Sequence, residues 1–370
     1  MNKFLLYLSR KKNSKSIFNF REGFDYYFFE SLKINTKKND YLGRSFLQYK
    51  CQIKDEKKII NLLIVLLIPI FILIPVILLI IFNKKKLKQS DSKIIAVLPE
   101  SKFLPKVFDN KEVFWVEKSY KRNFNFKDLI FCYTFIFKYL FFPYFWLKCL
   151  YIVLSYSGIV KTCAKEILVS NEYSFTSSIL TKYINSYGKI CSNCMHGEKV
   201  LCLRDCFSTY DKFYVWDDFY IKVLREMDVQ AKFIVSSCSA LDLELSQNEG
   251  DIIFFLQGFE DIADLEVIHK KMNKLSELYS GNIFVKPHPR YPNSDLNIVF
   301  KNDEILNIPF EDAVKMAKIV VSNYSTVLFQ VYINKKLKQK DFPVIVINDL
   351  VKLPPMYIMQ EKAEIFFSKL

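Results

Sequence analysis

Two short polar motifs in the C-terminal part of the chain combine residue types that could bind phosphate. The first reads Lys286-Pro287-His288-Pro289-Arg290, and the second reads Ser322-Asn323-Tyr324-Ser325-Thr326. Each follows an apolar run that is typical of a buried strand, at 283–285 and at 319–321. Ligands of an open parallel sheet bind beyond the carboxyl ends of its strands, so both motifs are expected at a ligand site.

The first motif places an imidazole in a rigid loop. Pro287 and Pro289 restrict the backbone on either side of His288. There the imidazole could hydrogen-bond a phosphate and stabilise the charge that builds on a leaving nucleotide. Lys286 and Arg290 can add positive charge. The alternative is a rigid surface loop whose histidine has no function.

The second motif supplies hydroxyls ahead of an apolar stretch, 327–329, that is expected to open a helix. Ser322, Ser325 and Thr326 could cap the N–H groups at the start of that helix. The same hydroxyls and N–H groups can bind a phosphate. Capping alone would explain these residues, but their position beside the His288 loop favours phosphate binding.

Two further polar residues follow predicted strands in the middle of the chain. Glu172 follows the strand predicted at 167–170, and His196 follows the strand predicted at 189–193. Transfer of a group to a hydroxyl needs a base that takes the proton, and either residue could serve. A structural hydrogen-bonding role is the alternative for each. His269 is interpreted as a surface residue.

The charge balance of the chain favours anionic partners. Its 370 residues include 53 basic and 39 acidic side chains, which gives a formal net charge of +14. Such an excess favours phospholipid surfaces, nucleotide phosphates or anionic glycans. No RNA- or DNA-binding motif accompanies the charge, so nucleic acid is not expected as a partner.

The nine cysteines are interpreted as thiols in a reducing cytosol. One cluster, Cys191-x2-Cys194 followed by Cys202-x3-Cys206, has the residue type of a zinc site. Only seven residues separate its two halves, and Cys191 lies within a predicted strand. Buried or loose thiols are therefore favoured over a metal site.

Residues 59–82 form an apolar run in which Asn61 is the polar exception, and we expect a membrane helix there. Lysines lie on both sides of the run, so the positive-inside rule gives no direction. Pro69 and Pro75 favour a kink, which leaves a re-entrant helix and a straight span both open. Residues 129–156 are either a pair of core helices or a surface that lies on the membrane and meets a lipid-linked acceptor.

Short apolar strands alternate with helices from residue 94 onward, which predicts an α/β fold with parallel sheets. The predicted organisation has four parts. They are a basic N-terminal segment at 1–58, a membrane helix at 59–82, a Rossmann-like acceptor domain at 93–240 and a Rossmann-like nucleotide-donor domain at 245–370. A cleft is expected between the two domains, with Glu172 and His196 facing it.

The motifs bear a resemblance to two groups of enzymes. Lys286-Pro287-His288-Pro289-Arg290 and residues 322–326 look like donor-site motifs of the CDP-glycerol glycerophosphotransferase family. They also resemble the His-Pro and Ser/Thr motifs of bacterial capsule and lipooligosaccharide sialyltransferases. Met195-His196-Gly197-Glu198 is similar to a His-Gly element in the first domain of the former. The resemblance covers about 165–350.

This resemblance implies a GT-B glycosyltransferase with a nucleotide-activated donor, possibly CMP- or CDP-linked, and a glycan or glycolipid acceptor. It implies that His288, Ser325 and Thr326 contact donor phosphate, that His196 is a candidate base or acceptor contact, and that no metal or cofactor is needed. With the apolar run, it predicts attachment to the bacterial inner (cytoplasmic) membrane, with membrane lipids as partners and the catalytic domains in the cytosol. The alternatives are a nucleotide-sugar epimerase, which would need no membrane segment, and a catalytically inactive membrane-bound assembly protein.

Overall fold

A computed structural model of the protein describes most of the chain in two compact units. The first comprises 1–196 and 201–238, and the second comprises 197–200 and 239–370. The described ranges are 40–53, 68–82 (without side chains at 68–72), 92–109, 111–118, 120–197, 205–245, 250–258, 260–288, 295–323, 325–338, 343–350 and 357–370. Each unit contains one parallel β-sheet with helices, an arrangement consistent with two Rossmann-like domains.

The first unit contains a sheet of six parallel strands in the order β2-β1-β3-β4-β5-β6. Chain order reverses between β1 and β3, which makes the carboxyl ends of these two strands a topological switch point. The strands are β1 (Ile94–Val97), β2 (Val113–Trp115), β3 (Glu166–Val169), β4 (Ile190–Cys194), β5 (Thr209–Val215) and β6 (Gln230–Val235). Short apolar runs at 94–98, 167–170, 189–193, 213–216 and 232–235 predict five of them. The sequence pattern missed β2, an edge strand of three residues, because so short a run has no measurable period.

Helices accompany this sheet: α1 (Tyr41–Gln52), α2 (Ile68–Phe82), α3 (Phe126–Lys138), α4 (Pro143–Tyr156), α5 (Ser177–Ser186) and α6 (Asp218–Glu226). A capping box of Asn125 and Asp128 starts α3. Phe135 on α3 and Trp146 on α4 are fully buried, so residues 129–156 do contribute a pair of core helices. Short 3-10 turns occur at Ser101–Phe103, Lys106–Phe108 and Ile159–Lys161.

The predicted membrane helix at 59–82 is only partly covered by described residues. Residues 59–67 lie outside them, and residues 68–82 form α2, which continues through Pro75. Across the part of the chain that the structure describes, no helix combines the length and the apolar character needed to cross a bilayer.

Helix α1 belongs to a segment for which the sequence predicted no definite structure. Arg44 on this helix is buried, and its guanidinium donates to Thr209 Oγ1 (2.9 Å) and to Asp228 Oδ2 (2.9 Å). Ser45 Oγ accepts a hydrogen bond from the backbone N–H of Ile179 (3.1 Å). These long-range contacts attach α1 to the first unit, and a local sequence pattern does not reveal them.

Asp228→Asn should lower the free energy of unfolding by about 2 kcal/mol, because the buried guanidinium of Arg44 then loses its charged acceptor. Asparagine tolerates the left-handed backbone of this position (φ 53°), so the change tests the charge rather than the turn. Urea unfolding of the purified chain measures the effect. Glu226→Ala, at an exposed position on α6, is the control and should leave the unfolding midpoint unchanged.

The second unit contains a sheet of five parallel strands in the order β11-β10-β9-β7-β8. Chain order reverses between β7 and β9, which gives this sheet its own switch point. The strands are β7 (Asp251–Phe255), β8 (Ile283–Lys286), β9 (Ala317–Ser322), β10 (Val344–Ile347) and β11 (Ile365–Phe366). The helices are α7 (Ile262–Tyr279), α8 (Leu296–Val299), α9 (Phe310–Met316), α10 (Thr326–Lys338) and α11 (Met359–Lys362), with 3-10 turns at Ser239–Leu241, Asn302–Glu304 and Phe367–Lys369.

Candidate active site

The structure brings Glu172 and His196 together at the carboxyl ends of β3 and β4. These strands are hydrogen-bonded neighbours, so the loops that follow them begin side by side. Glu172 Oε1 lies 2.8 Å from His196 Nδ1, and the hydroxyl of Ser170 contacts the same nitrogen. The Glu172 side chain is 2% exposed and that of His196 is 24% exposed. The pair therefore consists of a buried carboxylate and an imidazole that reaches solvent.

Hydrogen bonds fix the orientation of the Glu172 carboxylate. Asn193 Nδ2 donates to Glu172 Oε2 (3.1 Å), and the backbone N–H of His196 donates to Oε1 (3.3 Å). Asn193 is itself held, because its Oδ1 accepts from the backbone N–H of Asn171 (2.9 Å). A carboxylate bound to Nδ1 leaves Nε2 as the imidazole nitrogen that can exchange a proton with a ligand.

Aromatic rings border the imidazole of His196. The ring of Tyr173 lies edge-on at a centroid distance of 4.8 Å, and that of Phe103 lies edge-on at 6.2 Å. Phe103 comes from the segment after β1, on the other side of the switch point from Glu172. The switch point therefore combines a proton acceptor with apolar walls, as a binding site for an organic substrate does.

Helix α1 packs behind the loop that carries Glu172. Gln48 Nε2 donates to the carbonyl oxygen of Glu172 (3.4 Å), and Gln52 Nε2 donates to that of Tyr173 (3.4 Å). The buried Tyr49 ring packs edge-on against Phe175 at 5.2 Å. Sequence reasoning missed this element, although the spacing of polar Arg44, Gln48 and Gln52 at every fourth position was a signal for one buried helix face.

The two C-terminal motifs lie on either side of β7 in the second unit. Lys286 is the last residue of β8 and His288 lies two residues beyond it, both half-buried. Ser322 ends β9. Strands β8 and β9 both pair with β7, so their ends are about 10 Å apart. The segment after β7 therefore lies between the motifs, which the sequence did not indicate.

Glu260 organises the loops at this second switch point. Its buried carboxylate accepts hydrogen bonds from the backbone N–H groups of Gln257 (2.8 Å) and Gly258 (2.8 Å). It also accepts from Asn323 Nδ2 (3.2 Å), and Asn348 Nδ2 donates to Asn323 Oδ1 (2.8 Å). Gly258 has a φ of 83°, which suits glycine. One carboxylate thus connects the segments that follow β7, β9 and β10.

The hydroxyl groups of the second motif are placed differently from one another. Ser322 is fully buried, and its Oγ donates to the carbonyl oxygen of Phe255 (2.6 Å). Ser325 Oγ accepts from the backbone N–H of Val327 (3.3 Å), so the capping contact that the sequence allowed is present. Thr326 is half-buried and is the first residue of α10. Ser325 and Thr326 are thus at a helix start, whereas Ser322 is used inside the sheet.

Burial shifts the pKa of titratable groups in both units. In the second unit, burial lowers the pKa of Lys286 from its usual value. Arg290 lies outside the described residues, so Lys286 is the cation of the first motif that the structure places. Glu198, which follows His196, also lies outside them. In the first unit, burial raises the pKa of the Cys194 thiol well above its usual value and favours the protonated form.

The cysteine cluster of the first unit is buried. Cys191, Cys194 and Cys206 lie in the core, and Cys202 is outside the described residues. Among the side chains that the structure describes, no group of three or more His, Cys, Asp or Glu residues is placed to hold a metal ion.

Comparison with known proteins gives one family match. A family model with the description Alpha-2,8-polysialyltransferase (POLYST) matches residues 155–340, half of the chain, and this span includes Glu172, His196 and the second motif. A search of curated proteins finds no match. The family match supports the resemblance to bacterial sialyltransferases, and it indicates a glycosyltransferase that builds a bacterial capsule polysaccharide from a nucleotide-sugar donor and a glycan acceptor. The chain belongs to the alpha-2,8-polysialyltransferase (POLYST) family.

Proposed function

We propose that the chain is a GT-B-type transferase that moves a sialyl group from a CMP-linked donor to a hydroxyl of a growing sialic acid polymer. The pairing of Glu172 with His196, at 2.8 Å, carries this proposal. His196 Nε2 takes the proton of the acceptor hydroxyl, and the carboxylate of Glu172 stabilises the imidazolium that forms. The acceptor oxygen bonds to the anomeric carbon as the bond from that carbon to the phosphate oxygen breaks, and CMP leaves.

Donor binding is assigned in this proposal to the second switch point. His288 donates to the donor phosphate, and Lys286 and Arg290 add positive charge. Ser325 and Thr326 contribute their hydroxyls at the start of α10, because a helix start favours an anion. Ser322 was predicted to join them, but its hydroxyl already donates to the Phe255 carbonyl. We therefore assign Ser322 to shaping the loop rather than to touching phosphate.

Membrane attachment completes the proposal. The apolar run 59–82 is proposed to attach the chain to the inner membrane, with both units in the cytosol, where nucleotide-linked donors are made. The net charge of +14 suits both an anionic lipid surface and an anionic polymer.

Full-length purified chain, incubated with CMP-linked sialic acid and an oligosialic acid acceptor, is the direct test. We expect the acceptor to lengthen by sialyl units, and we expect isothermal titration to give tighter binding of CMP than of CDP or UDP. Transfer of glycerol phosphate from CDP-glycerol in place of sialic acid would refute the sialyl assignment. Absence of binding to every nucleotide would indicate the inactive assembly protein.

Gln48→Met should lower kcat about tenfold and leave the donor KM unchanged. Gln48 touches no substrate in this assignment, but it holds the backbone of the Glu172 loop, and small misplacements of a reacting group cost rate. Methionine keeps the side-chain volume in this buried position. Steady-state kinetics with varied donor separate kcat from KM.

The control for Gln48→Met is Lys50→Met, at an exposed position of the same helix. It should retain the kcat of the unaltered chain. A Gln48→Met protein that unfolds at the same urea concentration and turns over at the same rate would show that α1 does not position Glu172.

A further inference from the structure

Two neighbouring helices of the first unit expose rows of large apolar side chains. Their spacing is that of one helix face, with steps of three, four or seven residues. On α2, Ile80 is 75% exposed, and on α3, Ile130 is 53% exposed. The exposed residues are Leu73, Ile77, Ile80 and Ile81 on α2, and Phe126, Ile130 and Phe137 on α3, with Phe141 just beyond it.

Helix α3 is firmly attached to the core, so its exposed row is not the result of a loose element. The opposite face of α3 buries Cys132, Phe135 and Ile136. Asp128, also buried, accepts hydrogen bonds from Tyr183 Oη (2.6 Å) and Lys161 Nζ (2.6 Å). A fixed helix with an uncovered apolar row marks an interaction surface.

The apolar rows lie on helices that are joined to each other. The backbone N–H of Phe124, just before α3, donates to the carbonyl oxygen of Phe82 at the end of α2 (3.2 Å). The guanidinium of Arg122 lies over the Phe82 ring, 6.0 Å from its centroid. The end of α2 therefore meets the start of α3, and the two rows can belong to one surface.

Charges on and around these helices favour an anionic bilayer. Among the described residues of α2 and α3, the one acidic side chain is the buried Asp128, whereas Lys127 and Lys138 are exposed. Lys138 pairs with Asp40, just before α1, at 3.3 Å, so Lys127 is the exposed cation of these two helices that has no acidic partner in the described ion pairs. The sequence directly after α2 is also basic, with lysines at 84–86. Apolar side chains bordered by cations suit the interface of anionic phospholipids. A second copy of the chain would bring lysines against lysines across a symmetric contact.

We infer that the rows on α2 and α3 form one surface that inserts into the interface of an anionic phospholipid bilayer, with both helices attached to the unit that carries Glu172 and His196. This inference rests on the membrane attachment proposed above and gives it residues and a lipid class. It adds that α3, a core helix outside the apolar run 59–82, takes part in lipid binding.

Sedimentation of the full-length chain with vesicles tests the inference. We expect binding to vesicles of phosphatidylglycerol and phosphatidylethanolamine, weak binding to phosphatidylcholine vesicles, and loss of binding as salt rises. Ile80→Glu on α2 and Ile130→Glu on α3 should each lower the partition coefficient about tenfold or more. The matched control is Leu278→Glu, because Leu278 is 60% exposed on α7 of the second unit, and it should bind as the unaltered chain does.

Three results would overturn the inference. They are an unaltered chain that ignores anionic vesicles, an Ile130→Glu protein that binds them fully, and variants that dissociate a dimer while their vesicle binding stays unchanged. Circular dichroism checks that each variant is folded. Transfer to a soluble acceptor without vesicles separates the two proposals. Variants that keep transferase activity but bind vesicles weakly would support the lipid-binding surface. An unaltered chain that binds anionic vesicles but transfers no sialic acid would support the surface and refute the proposed sialyl transfer.

Discussion

His196→Ala is expected to lower kcat for sialyl transfer about 1000-fold, because general-base catalysis of this kind contributes factors of about 100 to 10,000. The donor KM should change little, since the imidazole is assigned to the acceptor. Steady-state kinetics with varied donor and varied acceptor measure both effects.

Glu172→Gln separates the role of the charge from that of the shape. Glutamine retains an oxygen for the backbone N–H of His196, although its amide then faces Asn193 Nδ2, and it cannot stabilise an imidazolium as a carboxylate does. We expect kcat to fall about 100-fold with the fold intact. The control is His269→Ala on α7, whose ring packs edge-on against Phe300 at 5.0 Å, and it should leave kcat within about twofold. An active His196→Ala protein would exclude His196 as the base.

His288→Ala is expected to lower kcat/KM for the donor about 100-fold, which is the usual effect of removing one group that stabilises developing charge. Affinity for CMP should fall as well, because the same imidazole is assigned to the ground-state phosphate. Titration calorimetry with CMP and kinetics with the CMP-linked donor measure the two effects. His269→Ala again serves as the control, since His269 is the one histidine of the chain that is assigned to neither the acceptor site nor the donor site.

Unchanged CMP affinity in the His288→Ala protein would place the donor phosphate elsewhere. Glu260→Gln then helps to locate it. Glu260 connects the backbone after β7 to Asn323 after β9, so its neutral replacement should weaken CMP binding only if phosphate lies between these strands. Thermal unfolding of the Glu260→Gln protein distinguishes a specific loss of CMP binding from a general loss of stability.

Local pattern was sufficient to predict the strands that end in polar motifs. Runs such as 283–285 and 319–321 are apolar throughout, which is typical of strands in a parallel sheet, and the structure has β8 and β9 there. The helical spacing of Leu265, Ile268, Met272, Leu275 and Leu278 likewise predicts a helix at 264–279, which the structure extends to Ile262 through a capping box at Asp261. The family match agrees with the sialyltransferase resemblance that rested on the same motifs.

Elements without a period of their own were not predicted. Strands β2 and β11 contain three and two residues, and pairing with a longer neighbour defines them. Helix α1 mixes charged, aromatic and apolar residues, so the buried face that carries Arg44 and Gln48 becomes visible only through its distant partners. Contacts with distant parts of the chain therefore determine these elements, and such contacts override weak local propensities for helix or strand.

The sequence by itself determined which residues stand at strand ends, and therefore which side chains were candidates for chemistry, because burial on both faces of a parallel strand leaves a continuous apolar run. Only the tertiary structure decided which of them meet. Strand order placed Glu172 against His196, put β7 and Glu260 between the two C-terminal motifs, and turned the Ser322 hydroxyl toward the Phe255 carbonyl. Strand order is set by crossovers between distant segments, and no local run of residues encodes it.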